Sequence, residues 1–224
     1  AAGPYDNEAI NGHYTGHSFW ALLGLREAAT LADAVGETEI ATRCRHIRKA
    51  YGQRFMKRLM RVSQLAEGYI PPGLDDPLAG YDWANASAGV YPFELFDPHH
   101  PMVTATLRTV REYKYREGIM TYGPNAWLLK QRARQNRTQF PGWLHHYETF
   151  YVLQTMLGLG MDRQVIRDFY SYLVHTGSSQ TAFEYDIWAW RDREFHNNYP
   201  PHGWSAARYN EFFRNMLLRE DMEK

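Results

Sequence analysis

The chain has 224 residues, of which 44% are hydrophobic and 22% are charged, a composition that supports a packed core and excludes a disordered chain. Its 25 basic residues balance its 25 acidic residues, so it lacks the net positive charge expected of a protein that binds a nucleic acid backbone. The sequence contains no apolar run of about 18 residues, so we predict no membrane partner either. The length suits a single domain over residues 1–224.

The sequence also gives no indication of a metal or a cofactor. Cys44 is the only cysteine, which excludes an intrachain disulfide and a cysteine metal cluster. The histidine pairs 99–100 and 145–146 are consecutive, whereas two ligands on a helix are usually four residues apart. There is no phosphate-binding glycine loop and no nucleophile elbow.

The first predicted elements form a helical hairpin. Apolar residues recur every three or four positions from His17 to Val35, which predicts a helix that ends at Gly36. A second amphipathic helix is predicted from Glu37 to about Leu65. The connection is short, so the two helices should be antiparallel neighbours. We interpret the basic residues of the second helix as a solvated outer face.

The middle of the chain is less regular. Residues 66–87 form a long predicted loop rich in Gly, Pro and Asp, and loops of this length in compact domains are often functional. Helical sequence resumes near Asn85 and breaks at Tyr91. Asp97 and Pro98 are typical of a helix N-cap and first turn. A turn with a small β-excursion is predicted at 117–127, and 128–139 is either a loop or a ragged helix.

Three further helices are predicted at about His145–Leu159, Asp162–His175 and Trp204–Asp221. No segment alternates apolar and polar residues for long enough to predict a sheet. The predicted fold is therefore all-α, with about seven helices arranged as antiparallel hairpins.

Aromatic rings, imidazoles and acids are concentrated between residues 143 and 204, at predicted helix ends. Indole faces stack on the C–H faces of sugars, while acids, amides and imidazoles bind the hydroxyls, so this pattern predicts an oligosaccharide or glycoside ligand. The candidate substrate-binding residues are Trp83, Trp143, His145, His146, Tyr147, Trp188, Trp190, His202 and Trp204.

Five motifs carry a resemblance to a known group. They are DWANASAGVYPFELFDPHHPMVTATL, EGIMTYG, WLHHYETFYVLQTML, VIRDFYSYLVHTGSSQTAFE and PPHGWSAARYNEFFRNMLLRE. Together they resemble the C-terminal half of the (α/α)6 toroid of bacterial six-hairpin glycosidases. The resemblance implies a partial or shortened toroid with its active site in the loops at one end of the inner helices. It also implies that the toroid is completed by an N-terminal half that precedes Ala1, or by a second copy of the chain.

Glycoside hydrolysis uses two carboxyl groups. Of the loop acids, which include Asp6 and Glu8 before the first helix, we select three candidates. By the resemblance, Glu184 is the base in an inverting reaction, and Asp82 or Glu148 is the acid. Each has a structural alternative: Asp82 as an N-cap, Glu148 as a partner of a helix dipole, and Glu184 in an ion pair with Arg191 or Arg193.

Two other functions remain open from the sequence. The chain could be a non-catalytic carbohydrate-binding or interaction module that keeps the aromatic residues without a working acid pair. It could also be a helical-toroid lyase or epimerase that uses Tyr147, His146 and His202 as acid and base. The sequence does not fix a location, and we favour a secreted or periplasmic protein slightly.

Overall fold

The computed structural model describes residues 12–90, 92–137, 143–175, 187–189, 195–197 and 203–218. The described chain is predominantly helical, which confirms the predicted all-α class. Its helices are α1 (Thr15–Ala34), α2 (Thr38–Leu65), a short 3-10 helix (Ala84–Ser87), α3 (Pro101–Lys114), α4 (Ala126–Arg134), α5 (His146–Gly158), α6 (Asp162–His175) and α7 (Gly203–Leu217).

Two small sheets accompany the helices. The strands are β1 (Tyr115–Arg116) and β2 (Ile119–Met120), which form a hairpin, and β3 (Trp143–His145), β4 (Ile187–Ala189) and β5 (Phe195–Asn197). The hairpin confirms the predicted β-excursion. The prediction of no sheet was wrong, because β3, β4 and β5 form an antiparallel sheet in that order. Its strands have three residues each, too few for alternation to be recognised in the sequence.

The α1–α2 hairpin is antiparallel, as predicted. The hydroxyl of Tyr51 donates to Ser18, and further along the pair Arg48 donates to the carbonyl of Leu22. Gly36 ends α1 with a φ of +82°, a conformation that glycine adopts without steric cost. Most basic residues of α2 are exposed, in agreement with the solvated face inferred from the sequence.

The middle of the chain departs from the predictions in two places, and in a third it decides between two alternatives that the sequence left open. Helix α3 begins at Pro101 with His100 as its cap, because Asp97 instead accepts a hydrogen bond from the backbone of His99 in a turn. The helix expected near Asn85 is only the four-residue 3-10 helix. The polar segment 128–139 contains most of a regular helix, α4, which Asn125 caps.

Helix α5 lies between two hydrophobic clusters. Phe150 belongs to a cluster with residues of α3, α6 and α7, whereas Tyr151 belongs to one with residues of α1, α2 and the 3-10 helix. Because both faces of α5 are buried in this way, the position of its N-terminal end is set by the packing of the whole helical array.

Exposed apolar side chains lie in two parts of the chain. On the first hairpin, Leu31 and Val35 are 66% and 65% exposed, and on α6 and α7, Tyr170 and Leu217 are each 68% exposed. None of the described helices combines the length and the apolar character needed to cross a bilayer.

Asp75 ties the segment before α1 to the long loop. Its carboxylate accepts hydrogen bonds from the backbone N–H of His13 at 2.8 Å and pairs with the His13 imidazole and with Arg58. The backbone and side chain of His13, followed by Arg58, lower the pKa of Asp75 to about 2.

Because the pKa of Asp75 is lowered on folding, its contribution to stability is complete above about pH 4 and is lost as the pH falls toward 2. We therefore expect Asp75→Asn to reduce stability at neutral pH and to flatten the acid side of the stability profile. Urea unfolding of both proteins between pH 2 and 7 measures this. Parallel profiles for the two proteins would contradict the assignment.

Candidate functional site

Aromatic side chains from four separate parts of the chain join into one closed circuit. Centroid distances between successive rings are 5.8, 6.2, 5.8, 6.1, 5.3 and 5.1 Å, and the hydroxyl of Tyr14 closes the circuit by donating to the carbonyl of Tyr81 at 3.1 Å. We call this set the aromatic circuit. In order, its members are Tyr14, Trp83, Tyr151, Tyr147, His145, Tyr122 and Tyr81.

The circuit forms because the N-terminal ends of α1 and α5 meet the long loop. Tyr14 precedes the first residue of α1, and Tyr147 lies in the first turn of α5. Trp83, at the end of the long loop, bridges them through contacts with Tyr14 and Tyr151. Tyr122 follows the β1–β2 hairpin, where its backbone N–H donates to the carbonyl of Trp143.

Glu148 is the described candidate acid that contacts the circuit. Its Oε2 lies 2.6 Å from Nδ1 of His145, the residue that joins β3 to α5. Its side chain is 10% exposed, so it is nearly enclosed and still touches the surface. A carboxyl group held against an imidazole in this setting is a candidate for proton transfer.

Tyr147 and Tyr151 form a buried phenol pair next to this acid. Their hydroxyl oxygens are 3.2 Å apart. Burial raises the pKa of both residues, and for Tyr147 the neighbouring Tyr151 raises the pKa further. Both phenols are therefore protonated at neutral pH and can donate hydrogen bonds, but neither is suited to act as a resting base.

Arg208 of α7 contacts Tyr151 of the phenol pair. Its guanidinium donates to the hydroxyl of Tyr151 at 3.2 Å and lies 4.9 Å from the centre of that ring. Glu211 engages the same guanidinium at 2.6 Å. The arrangement fixes Tyr151 through a hydrogen bond and a cation–π contact.

Trp204 provides an exposed aromatic face beside the circuit. It is 70% exposed, and its ring lies 5.8 Å from Tyr147 at an angle of 38°. It is the second residue of α7, so the start of that helix also lies at this end of the fold. This places an exposed apolar face next to buried phenols and an acid.

Trp83 is held tightly by α1. A Cβ added at Gly16 would lie 2.5 Å from Cζ2 of the Trp83 indole, so the glycine is what allows the ring to approach the helix. The indole N–H is buried and has no hydrogen-bond acceptor in the described structure.

Asp82 differs from Glu148 because its side chain is completely buried. The sequence suggested that Asp82 opens a helix, but the residue that directly precedes the 3-10 helix is Trp83. Its oxygens accept hydrogen bonds from Asn85 at 2.8 Å, from the backbone N–H of Ala126 at 2.7 Å and from the hydroxyl of Tyr69. A carboxylate with this many donors has no surface left for a ligand.

The remaining candidates are divided between the core, the sheet and undescribed segments. His146 is completely buried, and its ring contacts Tyr172 of α6. Trp143 is half-buried at the start of β3 and pairs with Ala189, and the backbone of Trp188 pairs with Leu144. Glu184, Trp190 and His202 lie outside the described residues.

Several residues of the site were not found from the sequence. Tyr14, Tyr81, Tyr122 and Tyr151 lie far apart in the chain, and no local pattern distinguishes them from the other 12 of its 16 tyrosines. The one available signal was indirect, because Tyr151 follows Tyr147 by one helical turn on the predicted α5.

A separate polar cleft of about 490 Å³ lies between α3, the β1–β2 hairpin and α6. Its lining includes Arg111 and Asp168, which form an ion pair at 2.5 Å. It contains no residue of the aromatic circuit. Within the described part of the chain, no group of three or more His, Cys, Asp or Glu side chains is arranged to hold a metal ion.

Comparison of the chain with protein-family models, with curated proteins and with solved structures gave no match.

Proposed function

We propose that the chain is a glycoside hydrolase-like domain that binds an oligosaccharide at the aromatic circuit and hydrolyses it with two carboxyl groups. The observation that carries the proposal is the combination of Glu148, its imidazole partner and a buried phenol pair with the exposed face of Trp204. Apolar rings and a few polar groups directed at one place are the usual components of a carbohydrate site.

In this proposal Glu148 is the general acid and Glu184 remains the base. Glu148 is preferred to Asp82 because part of its side chain is exposed, whereas none of the Asp82 side chain is. One phenol of the Tyr147–Tyr151 pair donates to the other, which leaves one hydroxyl proton that would be donated to a sugar hydroxyl. The inverting course stays an expectation, since it requires a wide separation between the two carboxyl groups.

The non-catalytic module shares the same binding surface, so only turnover separates the two functions. The lyase or epimerase is supported less well. It would need a phenolate or an imidazole as base, and burial raises the pKa of Tyr147 while His146 is in the core. A lyase or epimerase of uronic acids would also use an arginine to bind the substrate carboxylate. The guanidinium of Arg208, next to the phenols, is already paired with Glu211.

The test uses four trisaccharides: maltotriose, cellotriose, xylotriose and chitotriose. Tryptophan fluorescence reports binding, because Trp83 and Trp204 lie at the site, and chromatography of the products reports hydrolysis. Binding with hydrolysis supports the proposal. Binding without turnover supports the non-catalytic module, and a uronic acid oligosaccharide cleaved with formation of an unsaturated product would support a lyase.

Trp204→Ala is expected to weaken binding of the responsive trisaccharide about tenfold, equivalent to about 1.4 kcal/mol, because the exposed stacking face is removed. Little stability should be lost, since the side chain is mostly exposed. Fluorescence titration of the remaining tryptophans measures the affinity. Tyr170→Ala is the matched control, since Tyr170 is an aromatic residue of α6 that is 68% exposed and does not belong to the circuit. Equal losses in the two variants would contradict a specific role for Trp204.

We also propose that the chain forms a partial toroid, which is completed by an N-terminal half or by a second copy of the chain. The exposed apolar side chains of the first hairpin and of α6 and α7 are compatible with such a contact.

A further inference from the structure

A completely buried ion pair contacts the segments that carry part of the aromatic circuit. Nζ of Lys114 is 3.7 Å from Oδ2 of Asp82, and neither side chain has any exposed surface. Burying two charges is unfavourable unless hydrogen bonds compensate. Here Asp82 accepts three hydrogen bonds and Lys114 donates to the carbonyl of Gly123 at 3.2 Å.

The pair joins the two segments that carry three members of the circuit. Asp82 lies between Tyr81 and Trp83 and binds the backbone N–H of Ala126. Lys114, the last residue of α3, binds the segment around Tyr122 through Gly123. Its own carbonyl accepts two hydrogen bonds from Thr121, one from the backbone and one from the hydroxyl.

These contacts hold the segments 81–83 and 121–126 against each other. The rings of Tyr81 and Tyr122 are consequently 5.1 Å apart, and this contact is one of the links of the circuit. A simpler hydrophobic pair could fill the same space, since such replacements are often neutral or stabilising. The hydrogen bonds that the pair makes to both segments therefore point to a role in their geometry rather than in stability.

We propose that Asp82 and Lys114 are positioning residues for the carbohydrate site, fixing Trp83 and Tyr122 without touching the sugar. This inference rests on the proposed function. Asp82 therefore has a positioning role instead of the catalytic role expected from the sequence, because protein donors occupy its carboxylate oxygens.

The double variant Asp82→Asn with Lys114→Met separates positioning from stability. It removes both charges together, so no uncompensated charge stays buried. The asparagine side chain offers one carbonyl oxygen to the three donors that Asp82 satisfies. We expect a lower urea midpoint, because at least one buried donor is left unpaired. Hydrogen exchange of the amides of 121–126 should accelerate more than that of the other core amides, and the trisaccharide that binds the wild type should bind at least about tenfold more weakly.

The matched control is Arg111→Met with Asp168→Asn, which removes the ion pair of the polar cleft. That pair contacts no member of the circuit, so trisaccharide affinity and the exchange of 121–126 should not change. Wild-type affinity and exchange in the Asp82–Lys114 variant, or an equal loss in the control, would overturn the inference.

If the double variant does not fold, Lys114→Gln carries the test. Its amide keeps a polar donor next to Asp82, while the shorter side chain releases the carbonyl of Gly123, so the same two measurements should change. If no trisaccharide binds the wild type, the proposed function fails, while hydrogen exchange still shows whether the pair positions 121–126. Unchanged exchange in Lys114→Gln would then overturn the positioning role independently.

Discussion

Glu148→Gln is expected to lower the rate of trisaccharide hydrolysis by about 10² to 10⁴-fold, the usual contribution of a general acid. Glutamine keeps the shape of the side chain and its contact with His145, but it has no proton to donate to the leaving oxygen. Binding should change little, because the stacking faces of Trp83 and Trp204 are unaltered. Initial rates at saturating substrate, together with fluorescence titration, separate the two effects.

Glu67→Gln is the control for this experiment. Glu67 is also a paired acid, bound to Lys130 and Arg134 of α4, but it is half exposed and contacts no member of the circuit. Its replacement should leave both rate and affinity unchanged. A Glu148→Gln enzyme with the wild-type rate would remove Glu148 from the mechanism. Equal losses of rate and affinity would indicate a binding role alone.

The helices with strong local signals could be predicted from the sequence. Helix α6 runs from Asp162 to His175, the predicted bounds, because an acidic start follows a glycine and the apolar residues keep one period. Helix α3 shows where local signals compete. Asp97-Pro98 and His100-Pro101 are both cap–proline pairs, and the second one begins the helix while Asp97 stabilises the preceding turn.

The candidate site could be predicted only in part. His145, Tyr147, Glu148 and Trp83 were found because they stand in aromatic segments near predicted helix ends. Lys114 could not be found, since a lysine at the polar end of a helix is normally exposed. Its burial depends on Asp82, 32 positions earlier in the chain, and on Gly123. Contacts between segments of this separation leave no periodic trace in the sequence.

Gly16→Ala is expected to destabilise the protein by about 1–3 kcal/mol and to weaken trisaccharide binding, although alanine is the better helix former. The new methyl group would lie 2.5 Å from Cζ2 and 2.7 Å from Cε2 of Trp83, so the indole must move. Tyr14 and Tyr151 both contact that indole, and its displacement therefore opens the circuit at two links. Urea unfolding and fluorescence titration measure the two effects.

Gly24→Ala provides the comparison within the same helix. No atom lies within 4 Å of a Cβ added at Gly24, so alanine should stabilise α1 by about 0.5–1 kcal/mol and leave binding unchanged. The opposite signs at the two glycines are the specific expectation, and a gain in stability at both would show that Trp83 does not press on α1. Trp83→Phe should largely remove the cost of Gly16→Ala, because the smaller ring lacks the crowded indole atoms, and a double-mutant cycle measures this coupling directly.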